Sequence, residues 1–161
     1  MTEPAASTTA RPARADLPFR LLALVWVLTG GLTAAVTGPL GLEHGSWSAA
    51  FQVLVGGVLQ GVLGIAQHGL AARAPGRGVL LAELLTWNLA GLAVIGGTVL
   101  GPPLLVDAGG ALLVVTMMLM LRAVGRRADG PTWLLWVFRA ALVLTALSIP
   151  VGLVLAHLRA A

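Results

Sequence analysis

The sequence predicts an all-α fold, a polytopic integral membrane bundle of five transmembrane helices with its N-terminus in the cytoplasm. Three observations lead there. Only 10% of the 161 residues are charged and 58% are hydrophobic, with a mean hydropathy of +0.94. A soluble domain of this length carries about 25% charged residues, because it must wet its surface. The apolar residues fall into runs long enough to cross a hydrocarbon core of roughly 30 Å, which takes about 20 residues of helix. The arginines collect in alternate connections between those runs.

The first run, 18–40, opens with Pro18 and Arg20, is uncharged from Leu21 onward and closes at Gly38–Pro39. It is too long for the 7–15-residue apolar region of a secretory signal, so it reads as a retained span. The second, 47–72, has no formal charge and ends at Arg73-Ala-Pro-Gly-Arg77. The third, 79–101, is interrupted only by Glu83 and stops at Pro102–Pro103. The fourth, 104–122, is the weakest, because Asp107 and Gly109–Gly110 break its first turns. The fifth, 132–158, contains Arg139 and has Pro150 as an expected kink. Residues 1–16, rich in Pro, Ala, Thr and Ser, read as a disordered cytoplasmic tail. Residues 17–161 then form a single bundle.

Orientation follows from the arginines. Arg11, Arg14 and Arg20, Arg73 and Arg77, and Arg122, Arg126 and Arg127 lie on one side of the expected membrane. The connections 41–46 and 102–107 contain none. The positive-inside rule places the arginine side, and the N-terminus, in the cytoplasm. An odd number of spans puts the C-terminus outside. The basic residues are all Arg, and Ala, Gly and Leu abound. That composition points to a GC-rich bacterial gene and hence to the cytoplasmic (inner) membrane.

Composition also excludes chemistry. With no cysteine there is no disulfide, thiolate metal site or cysteine nucleophile. The net charge of +4 comes from arginines at span ends, where a bilayer protein needs them, so nucleic acid is not an expected partner. No phosphate loop, Gly-x-Ser-x-Gly or His-Glu-x-x-His pattern occurs. An enzyme would have only Glu83 with His68, or Glu43 with His44, to work with.

Polar residues inside lipid are functional candidates by default. Gln52, Gln60 and Gln67 project at about 0°, 80° and 60° on a helical wheel, so one stripe of the second span carries all three amides. Glu83 and Arg139 enter from the arginine side at similar depths, and an ion pair between them is the expected way to neutralise both. With Asn88 one turn deeper and His68 at the end of the second span, Gln60, Gln67, His68, Glu83, Asn88 and Arg139 form an expected intramembrane polar cluster. A second group, Glu43, His44, Asp107 and His157, lies on the outer side. Imidazoles and carboxylates are a suitable donor set for a transition metal, and His44 with His157 for a b-type haem. Gly57, Gly61 and Gly64 have the spacing that lets helix backbones approach closely. Met117, Met118 and Met120 read as core filling. Trp26, Trp47, Trp133 and Trp136 read as interfacial anchors, and Trp87 as a residue placed to meet a ligand.

Three functional readings fit these residues. The first is a non-enzymatic accessory or subunit-type component of a membrane complex, its polar residues serving packing. The second is a small homodimeric transporter or channel with a Gln/Glu-lined path. The third is a haem- or metal-binding redox protein using His44 and His157. All three share one topology, which reporter fusions check. Alkaline phosphatase fused within residues 41–46 is expected to be active, and fused after Arg77 inactive; the reverse pattern would invert the bundle.

Overall fold

The computed structural model describes residues 16–72, 75–125, 128 and 130–160. Arg73, Arg126 and Arg127 and most of the predicted tail (residues 1–15) lie outside the described residues. All regular structure among the described residues is helical: α1 (Leu17–Leu40), α2 (Gly45–Leu70), α3 (Arg77–Leu100), α4 (Pro103–Val124) and α5 (Thr132–Ala160). All five are long and apolar enough to cross a membrane. Asp16, assigned to the tail by composition, belongs to the start of α1. Its carbonyl accepts the Arg20 N–H at 3.1 Å, and its carboxylate pairs with the Arg20 guanidinium.

Helix ends follow local chemistry. Pro18 and Pro103 occupy first-turn positions, where a missing N–H costs nothing. α1 stops at Gly41, whose φ of 60° is left-handed; Gly41 N–H donates to Gly38 O at 3.2 Å and Leu42 N–H to Thr37 O at 3.0 Å. This is a Schellman closure, which satisfies two carbonyls that the helix end would otherwise leave open. Gly101, φ 98°, ends α3 in the same left-handed region, one residue before Pro102 starts the turn into α4. α5 continues through Pro150.

The helices alternate in direction and form two close hairpins, α1 with α2 and α3 with α4; α5 packs on α4 and α2. Glycines set these contacts. A methyl group at Gly64 would sit 2.5 Å from Phe19 Cβ, and one at Gly57 would sit 2.5 Å from Val27 Cγ2, so α1 lies directly against α2. Gly61 faces Ala23 across the same seam at 3.4 Å. In the second hairpin, methyl groups at Gly97 and Gly109 would meet Val106 and Val94 at 2.7 and 2.6 Å. Close backbone approach of this kind replaces the hydrophobic drive that lipid cannot supply.

The core is concentrated toward the end of the bundle that carries the described arginines Arg20, Arg77, Arg122 and Arg139. Phe19, Leu63, Leu70, Trp87, Met120 and Phe138 meet there, contributed by all five helices. Met117 joins them, while Met118 is exposed. The opposite half contains a cleft of about 480 Å³ between the ends of α2, α3, α4 and α5.

α2 is not α-helical throughout: Gln52–Leu59 forms a π-helix containing the buried pair Gly56–Gly57. The wider π turn changes the phase of the helix, so Gln52 and Gln67 serve different neighbours and the single amide stripe is not realised. All three amides are buried, but Gln52 turns to α1 and Gln67 to α3.

The seam glycines give a direct test. Gly64→Leu is expected to destabilise the bundle by about 2 kcal/mol or more, within the range for overpacking a closed interior. Gly31→Leu, at a position with nothing within 4 Å, is expected to be near neutral. Thermal denaturation in detergent compares the two.

Candidate functional site

The strongest candidate lies at the packed end of the bundle. Glu83, two turns into α3, is fully buried. Both its carboxylate oxygens accept the same donor, Gln67 Nε2, at 2.9 and 3.0 Å. Gln67 is itself buried, and its Oε1 has no partner. Two helical turns along α2, Gln60 is fully buried with neither amide atom partnered. Trp87 and Leu84, from Glu83's own helix, are buried in the same core. Three residues along α3, Thr86 Oγ1 hydrogen-bonds Thr116 Oγ1 of α4 at 2.6 Å, a separate polar contact between these two helices.

A narrow recess reaches this group from the arginine-rich end. Phe19, Gly64, Gln67, His68, Pro75 and Leu80 line it. Its volume of about 10 Å³ matches the room needed for the centre of one water molecule.

Arg139 does not join Glu83. It is exposed, with its guanidinium carbon 6.0 Å from the centroid of the Trp136 ring. The expected ion pair fails because α5 presents Phe138, and not Arg139, to the core. A guanidinium over an indole at the span's end keeps its hydration and gains a cation–π contact. Asn88 also leaves the predicted cluster. Its Oδ1 accepts Trp26 Nε1 at 2.6 Å, while its Nδ2 donates to Leu84 O at 2.7 Å.

Trp26 is therefore a packing residue and not an interfacial anchor. Its ring lies on Gly56 and Gly91, and its N–H ties α1 to α3. Together with Thr29, Gln52 and Asn88 it lines a mostly apolar lateral groove. Gln52 Nε2 donates to Thr33 Oγ at 3.1 Å and Ser48 Oγ at 3.2 Å. Trp133 and Trp136 are exposed near the start of α5, and Trp47 stacks on Phe51 with ring centroids 5.4 Å apart. Trp87 is buried and does not face an open cavity.

The second group forms a pair and not a ligand cage. His157 Nε2 lies 3.5 Å from Asp107 Oδ2, and His157 Nδ1 is 3.0 Å from Leu153 O. Glu43 and His44 instead line the 480 Å³ cleft with Trp47 and Thr98. Among the described residues, no three His, Asp or Glu side chains come together in a group able to hold a metal ion. The expectation of one four-residue site fails because Asp107 and His157 spend their polar atoms on each other and on the α5 backbone.

Comparison with protein-family models, with curated proteins and with solved structures finds no match. Function therefore rests on the geometry alone.

A double-mutant cycle separates the observed partner of Glu83 from the expected one. Glu83→Gln is expected to couple with Gln67→Leu by roughly 1 kcal/mol or more, as residues in direct contact do. With Arg139→Leu the coupling is expected to be near zero. Reversible unfolding in detergent, monitored by far-ultraviolet circular dichroism, measures both.

Proposed function

We propose that this chain is a non-enzymatic accessory component of a membrane complex, held to another subunit through the half of the bundle opposite its packed core. The reading is supported by glycines that no neighbouring helix covers. Gly57, Gly64, Gly97 and Gly109 face neighbouring helices so closely that a methyl group would clash. Gly31, Gly38, Gly96 and Gly152 have nothing within 4 Å of where a side chain would begin. These four lie in the half opposite the packed core, beside the closed contacts at Gly97 and Gly109; Gly76 and Gly78, at the arginine-rich end, are open as well.

Two of the open glycines stand on α1, which contributes only Phe19 and Gly30 to the buried residues. Beside them runs a groove of about 330 Å³ lined by Gly31, Ala34, Ser46 and Ala50. Small side chains in a shallow channel at bilayer depth suit a transmembrane helix, because they let its backbone come close. The occupant in this reading is a helix of a different subunit; a second copy of the chain is the alternative that the experiment separates. The arginine distribution supports a cytoplasmic N-terminus, and the all-Arg basic set with abundant Ala, Gly and Leu supports residence in a bacterial inner membrane.

Native electrophoresis of mild-detergent extracts from the protein's own membranes tests this. The wild type is expected to migrate in an assembly heavier than the 16.4-kDa chain. Gly31→Leu and Ala34→Leu are expected to release it without lowering its own thermal stability. If the purified chain reproduces the heavy band alone, the occupant is a second copy. A chain that runs as a monomer in those extracts overturns the reading.

A further inference from the structure

We propose that Glu83 and Gln67 form an exchangeable proton-binding site inside the bundle, loaded from the arginine-rich end through the recess beside His68. The argument starts from charge. A carboxylate with no exposure inside a helical bundle is strongly disfavoured unless a cation or several hydrogen bonds compensate it. Glu83 has one donor group, Gln67 Nε2, shared between both its oxygens. No arginine or histidine nitrogen among the described residues lies within ion-pair distance of it.

The ionisable groups on the packed elements are otherwise engaged or outward-facing. On α1, Arg20 pairs with Asp16. On α3 itself Arg77 is exposed, as are Arg122 on α4 and Arg139 on α5. His68 on α2 is half-buried and shares the recess with Gln67.

The orphaned atoms identify the ligand. Gln67 Oε1 is a buried acceptor with no donor. A carboxylic acid and a primary amide are complementary: the acid O–H donates to the amide oxygen while the amide N–H donates to the acid carbonyl. One proton on Glu83, with a small turn of the Gln67 amide, therefore satisfies Oε1 and keeps an Nε2 donor bond. A metal cation fits less well. Two carboxylate oxygens and one amide oxygen fall short of the six or more oxygens that a hard cation takes. The surrounding Leu84, Trp87 and Met120 offer no oxygen from their side chains.

The route is short. Gln67 both binds Glu83 and lines the one-water recess, so a water there touches the amide that holds the carboxyl. Gln60, with both amide atoms unpartnered, extends the polar line farther into the bundle and is where a second buried water would find a donor and an acceptor. The site is independent of the assembly proposed above, which uses the opposite half of the bundle.

Infrared spectroscopy of the full chain in liposomes tests the proposal. The carbonyl stretch of a neutral carboxylic acid is expected to be present and to grow as the pH is lowered. The band is expected to shift in heavy water and to be missing in Glu83→Gln. Gln67→Leu is expected to move its frequency, because the amide partner is lost. Should Glu83→Gln not fold, Glu83→Asp serves instead and is expected to displace the band. A spectrum with no such band, or one that neither pH nor heavy water alters, overturns the proposal. So does a band abolished by sodium chloride but not by choline chloride, which would assign the site to a metal cation.

Discussion

Inside a hydrocarbon layer every polar atom must find its partner within the protein, and this constraint orders the whole structure. Backbone groups meet it by forming helix. Hydroxyls meet it locally: Thr33 and Thr37 donate to carbonyls one turn back in α1, Thr98 does so in α3, and Thr145 in α5. The longer polar side chains must reach another helix, and each such reach fixes a pair of helices: Trp26 to Asn88, Gln52 to Thr33, Gln67 to Glu83; the Thr86 and Thr116 hydroxyls add one more contact of this kind, from α3 to α4. The bundle is held by these few bonds and by the glycine seams beside them. Where the rule is incompletely met, at Gln60 and Gln67, the structure offers its best evidence of chemistry.

Packing and polarity divide the molecule along its length. Toward the arginine-rich end, large side chains from all five helices close the interior around Glu83. Toward the other end, small residues and a cleft leave the helices less covered. The two ends therefore differ in kind: one encloses a buried ionisable group, and the other leaves small residues uncovered.

Much of the architecture was legible in the sequence because a membrane imposes length and composition so strictly. Five apolar runs with Pro, Gly and Arg at their ends became five helices. Even the fourth run continued through Asp107 and Gly109–Gly110, with both glycines buried. That Glu83 required a buried partner was also legible. Which partner it takes was not, because depth along a helix can be counted whereas rotation about its axis depends on packing. Arg139 and Glu83 share a depth, but Phe138 took the inward position on α5 and left Arg139 on the surface. Trp26 misled for a related reason: indole is common at interfaces, yet the space above Gly56 and Gly91 accepts a flat ring. The π turn was not legible either, because Gln52–Leu59 is an apolar run like its neighbours.

That π turn makes α2 two helices spliced in different registers. Its first part answers to α1 through Gln52, and its last part answers to α3 through Gln67. Residues Gln52–Leu59 act as the splice. Removing one residue there, with a return to regular α-helical winding, would leave the faces on either side nearly where they are, because about five residues of π turn cover the rotation of four residues of α-helix. Gln52 would keep Thr33 and Gln67 would keep Glu83. The tolerance of α2 to deletion is therefore uneven: the π turn can give up one residue, whereas a residue lost from the regular winding of Gln60–Leu70 would turn the two ends against each other by about 100°.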